Sequence, residues 1–158
     1  MATKFHPFIS FNGTCEKAFN MYKTIFGSDY VKFIRYNDVM HQEGAPQSSA
    51  EFGNQIRHIE LPLNHDVSLL GCDNAEDSAG LVEGNNLKIC IMPEDNEEAN
   101  RLFEALSEEG EVKVEMQDSS WGSYYGSLID KFGIHWMIEV PSNETPPSHA
   151  DNANIHIP

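Results

Sequence analysis

His58 and Glu60 stand two residues apart in Arg57-His58-Ile59-Glu60-Leu61, where polar and apolar side chains alternate from His58 onward. On a strand this spacing puts both on one face, with a carboxylate beside the imidazole to orient it. A neutral histidine so placed serves as a general base or as a hydrogen-bonding group for a ligand; the competing role is that of a hydrogen-bonded structural residue. His135 and Glu139 flank Met137 with the same period of two. Trp121, Tyr124 and Tyr125 stand among Gly122 and Gly126. Aromatics with a polar handle beside flexible glycines suit the rim of a pocket for a small, partly apolar ligand. Cys15 is expected in the first turn of a helix, where the dipole can lower a thiol pKa. No histidine or second cysteine lies near it in sequence, which favours an inert thiol. Asp130-Lys131-Phe132-Gly133 reads as turn chemistry.

The elements that must hold these residues read as one pattern written twice. A strand over Lys4–Asn12 precedes a helix with Thr14 as N-cap, ending near Gly27, whose Ala18, Met21, Tyr22, Ile25 and Phe26 recur at helical spacing. Three strand-like runs follow: Tyr30–Tyr36, Ile56–Leu63 and Val67–Cys72. The second copy opens with a strand over Asn86–Met92. Asp95-Asn96-Glu97-Glu98 resembles a capping box, and the helix behind it buries Ala99, Leu102, Phe103 and Leu106. Val112–Gln117, Tyr124–Ile129 and Ile134–Val140 complete it. The helices overlay at an offset of 81 residues, Glu16 on Glu97, Ala18 on Ala99, Tyr22 on Phe103 and Ile25 on Leu106. Any two amphipathic helices share such a pattern. The repeated order of strand, helix and three strands is the stronger sign of a duplicated βαβββ unit.

The expectation is an α+β domain over residues 1–140, with module one at 4–73 and module two at 86–140. The stretch Asn37–Asn54 is long for a loop and predicts a lid or flap, and acidic Asn74–Asn85 links the modules. Residues 141–158 hold four of the eight prolines and predict a flexible tail. His149 and His156 fall within it.

Charge narrows the function classes. The 158 residues carry 25 Asp+Glu against 10 Lys+Arg, a formal net charge of −15. Residues 1–35 sum to +3, which leaves −18 on the rest. Phosphate contacts need Lys and Arg, so nucleic acid is disfavoured as a partner, and an anionic membrane surface equally so. No apolar run approaches the ~20 residues of a membrane span, and the opening MATKFHPFISF lacks a signal-peptide core. Cys15, Cys72 and Cys90 form no CxxC pair, which reads as reduced thiols in a cytoplasmic setting.

The segment from Phe8 to Ala18, FISFNGTCEKA, continuing in MYKTIFG to Gly27, resembles the opening of PhnB-like proteins. Arg57-His58-Ile59-Glu60-Leu61 resembles their third strand. Trp121-Gly122, Gly126, Asp130-Lys131-Phe132-Gly133 and Trp136-Met137-Ile138 resemble their closing segment. These proteins belong to the vicinal oxygen chelate, or glyoxalase/bleomycin-resistance, superfamily. The resemblance implies two modules whose curved mixed sheets surround a cavity, and a homodimer. Members often carry a label taken from a demethylubiquinone methyltransferase, but this sequence has no glycine-rich strand–turn–helix to hold a nucleotide cofactor.

The resemblance also implies where a metal would sit, on the first and last strands of each module. Carried over, those positions fall on Met137, close to Leu70, and approximately on Pro7 and Lys88. None is a good ligand for a hard or borderline divalent cation. His6 lies one residue away, on the opposite face of its strand. A site from His58, Glu60, His135 and Glu139 would need a geometry unlike the family's. No metal and no cofactor are therefore expected. The reading is a metal-free small-molecule binding protein, its cavity lined by Phe11, His58, Leu70, Trp121, Tyr125 and Met137. The alternative is a glyoxalase-like lyase, dioxygenase or thiol transferase, with an atypical metal site or His58 as base. A regulatory partner in a larger complex is the third class, hinted at only by the acidic surface.

Overall fold

Cys15, Ala18, Phe19, Tyr22 and Ile25 are all buried along one side of α1 (Cys15–Phe26), the stripe that an amphipathic helix turns toward a sheet. Gly27 ends the helix in the left-handed conformation, φ 65°, and its N–H donates to the Lys23 carbonyl at 3.0 Å. Only glycine takes that conformation without cost. The structure, a computed structural model, describes residues 2–39, 50–74 and 80–143. It divides into two units, Met1–Asn85 and Asn86–Pro158.

In the first unit, β1 (Phe8–Phe11), β2 (Lys32–Arg35), β3 (Ile56–Pro62) and β4 (Ser68–Asp73) form a mixed sheet in the order β1-β4-β3-β2. β1 runs parallel to β4 and the other pairs are antiparallel. α1 packs on β3 and β4. Ile34 pairs with His58 and Arg35 with Ile56, so Arg57 is an extra residue that shifts the register. Ile56, Ile59 and Leu61 are all fully buried despite their uneven spacing. A side chain at Gly71 would place its Cβ 2.5 Å from Phe19 Cε2, so the Phe19 ring rests directly on that strand.

The second unit repeats this order. β5 (Ile89–Ile91), β6 (Glu111–Asp118), β7 (Tyr124–Ile129) and β8 (His135–Val140) form a sheet in the order β5-β8-β7-β6, with β5 parallel to β8. α4 (Asn96–Ser107) packs on β7 and β8. Its N-cap Asp95 accepts from the Glu98 N–H at 2.8 Å, the capping expected there. Asp130 Oδ1 accepts from the N–H groups of Phe132 and Ile134, and its Oδ2 accepts from Trp136 Nε1 at 2.9 Å. The Asp130–Gly133 segment is thus a turn that also anchors a fully buried tryptophan. Two βαβββ modules with α+β architecture are what the duplicated pattern predicts.

Local differences have physical reasons. Thr14 occupies the N-cap position but makes no side-chain cap bond; the Cys15 N–H donates to Asp73 Oδ1 instead. β2 ends at Arg35 because Tyr36 begins α2 (Tyr36–Val39), its N–H donating to the Gln55 carbonyl and its hydroxyl to the Asp73 carbonyl. The expected loop Asn37–Asn54 holds helical turns at both ends, α2 and α3 (Ala50–Gly53). Its central residues 40–49 lie outside the described residues, as do 75–79 of the link and 144–158 of the tail.

Candidate functional site

Strand alternation leaves each sheet one face turned away from its helix. In the first unit, Phe8 pairs with Leu70, Ser10 with Cys72, Glu60 with Leu70, Lys32 with Glu60, and Ile34 with His58. Partners in register share a face, so these side chains stand opposite α1. The register that pairs Ile59 with Gly71 sets His58 beside Cys72. The Phe8 and His58 rings lie 6.0 Å apart although β4 runs between their strands. Both rings therefore lean over β4, above Leu70 and Cys72. Phe8 is half exposed, and Ser10 Oγ and Cys72 Sγ are 3.9 Å apart.

The electrostatics of this face favour neutral groups. Burial, then the charge of Lys32, hold the His58 pKa below the usual imidazole value, against an opposing pull from Glu60. His58 is thus an uncharged acceptor or base at neutral pH. Burial also pushes the Cys72 thiol up, offset in part by its contact with Ser10. Cys15, at the start of α1, is fully buried. Burial first, then Asp73, push its pKa far upward, and the helix dipole does not make it a reactive thiol.

In the second unit the same construction places Tyr125 opposite Glu139, Ser127 opposite Met137 and Ile129 opposite His135. Cys90 pairs with Met137 from β5. Tyr124 points the other way, its hydroxyl donating to Asn100 Oδ1 on α4, so Tyr125 stands on the helix-free face. The Trp121 ring lies 5.2 Å from that of Tyr125, and Trp121 Nε1 donates to Glu139 Oε1 at 3.5 Å. Burial and the Glu139 charge push the Cys90 thiol up.

The expected lining residues are therefore not all brought together. His58 and Leu70 share a face in one unit; Trp121, Tyr125 and Met137 share a face in the other. Phe11 is placed elsewhere. It is buried, and its ring meets Phe19 of α1 edge-on at 6.2 Å. Its alternate neighbour Phe8 takes the helix-free position, because β1 carries apolar residues on both faces and its parity is hidden in the sequence. Leu70 and Met137 hold corresponding places in their sheets: Glu60 pairs with Leu70 as Ser127 does with Met137, and Phe8 pairs with Leu70 as Cys90 does with Met137. Ser10 and Phe8 were missed as site residues; the signal was their period-two spacing against the helix-facing Phe11.

Among the described residues, no group of three or more His, Cys, Asp or Glu side chains is arranged to hold a metal ion. His6 is engaged otherwise, its Nδ1 accepting from the Ser68 N–H at 2.9 Å.

A family model described as 3-demethylubiquinone-9 3-methyltransferase matches residues 3–139. The chain belongs to this family. Its fold is close to that of the protein PA1353 from Pseudomonas aeruginosa, with a TM-score of 0.77 and 25% identity over 90% of this chain and 100% of that one. A Bacillus cereus PhnB protein, titled a putative 3-demethylubiquinone-9 3-methyltransferase, gives a TM-score of 0.69 at 22% identity, over 88% and 100%. The fosfomycin resistance protein FosX from Listeria monocytogenes shares the fold at a TM-score of 0.60 and 10% identity, over 90% and 96%. This family member thus has the fold that the PhnB protein and FosX share.

The family's description names a methyl transfer, which calls for a nucleotide-type methyl donor. The residues here do not fit one. The N-terminus of α1 is closed by the Asp73 carboxylate and that of α4 by the Asp95 carboxylate. Neither β-turn-α segment offers the glycine-rich backbone amides that cradle such a cofactor.

Proposed function

We propose that this family member is a metal-free small-molecule binding protein, and that in each unit the sheet face turned away from the helix is a surface for a ligand. The observation that carries the reading is the composition of those faces. In the first unit, an aromatic ring, an uncharged imidazole, a hydroxyl and a thiol share one face around Leu70. In the second, Trp121, Tyr125 and Met137 do so. Apolar surface with a few placed polar groups is what a ligand site needs. The strand positions carried over for metal donors hold Met137, Leu70, Pro7 and Lys88 instead, poor ligands for a borderline divalent ion. His58, Leu70, Trp121, Tyr125 and Met137 are the proposed contacts, with Phe8 in the place first given to Phe11.

The test is protein purified without chelator. Elemental analysis should find no stoichiometric metal, and native mass spectrometry should find a retained compound or binders from a diverse library. Stoichiometric Zn, Ni, Mn or Fe overturns the metal-free reading, and a library without a single binder overturns the ligand reading.

A second reading rests on the depressed pKa of His58. A neutral imidazole on this face can act as general base in a lyase, dioxygenase or thiol transferase. Turnover that is lost in His58→Gln while binding persists would select it. We take the working unit to be a cytoplasmic homodimer. Family resemblance supports the dimer, the unpaired thiols support the compartment, and light scattering of purified protein tests the former.

A further inference from the structure

We propose that Trp121, Tyr125 and Glu139 form a binding site for an organic cation, a quaternary or protonated amine carried on a partly apolar small molecule. The proposal deepens the small-molecule reading and rests on it.

The two tryptophans of the chain differ sharply. Trp136 is fully buried, whereas Trp121 keeps 61% of its surface exposed. An exposed indole of that size has apolar area free for a partner. It is nevertheless held in place. Ser119 and Ser123 close the turn that carries it, Ser119 N–H donating to the Ser123 carbonyl at 2.8 Å and Ser123 N–H to Ser119 Oγ at 3.0 Å. Gly122, at φ 95°, gives the turn the backbone conformation it needs. The Trp121 ring stands 5.2 Å from that of Tyr125, at 37° between planes.

Glu139 completes the arrangement. It lies directly across the strand pair from Tyr125 and accepts the Trp121 Nε1–H at 3.5 Å. Its carboxylate has no ion-pair partner among the described residues. Two ring faces with negative quadrupoles beside an unneutralised carboxylate select positive charge, and the ring surface favours alkylated nitrogen over a small hydrated ion. The long-range field has the same sign, since residues 36–158 carry −18.

Choline and benzyltrimethylammonium are the probes, with neohexanol, in which carbon replaces the choline nitrogen, as the uncharged control. Trp121 emission is the readout, because the buried Trp136 is shielded from solute. Both cations should change the emission saturably, and neohexanol should not. Glu139→Gln keeps an acceptor for the indole N–H but removes the charge, and should weaken cation binding by about tenfold. Trp121→Ala, at an exposed turn position, should abolish binding as followed by calorimetry with no loss of fold by circular dichroism. Equal binding of choline and neohexanol, an unchanged affinity in Glu139→Gln, or no response to either cation overturns the proposal. A library that yields neutral binders while both cations leave Trp121 unaffected removes this site alone; a library without binders removes the small-molecule reading with it.

Discussion

Asp73, the last residue of β4, caps the helix that begins 58 residues earlier in the chain: its Oδ1 accepts the Cys15 N–H at 3.0 Å. Its Oδ2 accepts the Ile56 N–H at 2.9 Å, and the residue is only 2% exposed. One buried carboxylate therefore satisfies the starts of α1 and β3 together, fixing the helix to the strands that carry His58 and Cys72. Asp73→Ala leaves two buried donors unpaired and should cost about 2–4 kcal/mol, read from the denaturant midpoint. Asp73→Asn, which keeps one acceptor oxygen, should cost less. A Thr14→Ala change should be nearly silent, because the Thr14 side chain makes no cap bond.

Gly71 is required by contact rather than by conformation. Its missing Cβ would lie 2.5 Å from Phe19 Cε2 and 3.2 Å from the Ile9 carbonyl oxygen. Phe19 is fully buried and cannot swing away without displacing its edge-on partners Phe11 and Tyr22. Gly71→Ala should therefore destabilise the protein by about 1–3 kcal/mol through overpacking. The double change Gly71→Ala with Phe19→Leu should recover part of the loss. If the single variant unfolds at the wild-type denaturant concentration, the ring does not rest on Gly71.

Long-period features were legible in the sequence, and short-period ones less so. The duplicated order, both helices and the strand Tyr124–Ile129 follow from apolar recurrence over many residues. Which face of β1 meets α1 does not, because Phe8, Ile9 and Phe11 make both faces apolar over only four residues. Arg57 hid a further step, since an extra residue in a strand leaves no mark in composition. Asp73 as a cap was out of reach altogether, being distant in the chain from the helix it closes. The pairing of Trp121 with Glu139 was equally hidden, although both residues were picked out for their chemistry.

The three thiols should react in a fixed order. Cys90 is exposed, Cys72 half-buried and Cys15 fully buried. Burial raises the pKa of each, most of all for Cys15, where Asp73 adds its charge. A raised pKa means less thiolate at any given pH, so all three should alkylate more slowly than a free thiol, whose pKa is about 8.5. Iodoacetamide labelling followed by mass spectrometry should modify Cys90 first and Cys72 later, with both rates climbing as pH rises. Cys15 should label only on unfolding. Early labelling of Cys15 in folded protein would contradict the buried cap at the start of α1.

His58 links stability to pH in a direction that its environment sets. Burial and Lys32 lower its pKa in the folded protein, so below the ordinary imidazole value of about 6.5 the unfolded chain takes up the proton first. The contribution of neutral His58 is fully present above that value and is lost as pH falls through the folded-state pKa. An NMR titration should place the His58 ring below the ordinary value, and Lys32→Ala should move it upward by removing one of the two main causes. His58→Gln should flatten the acid side of the stability profile over the same window. A His58 titration at or above the ordinary value would show that Glu60 outweighs burial and Lys32, and would remove the uncharged base on which the enzymatic reading rests.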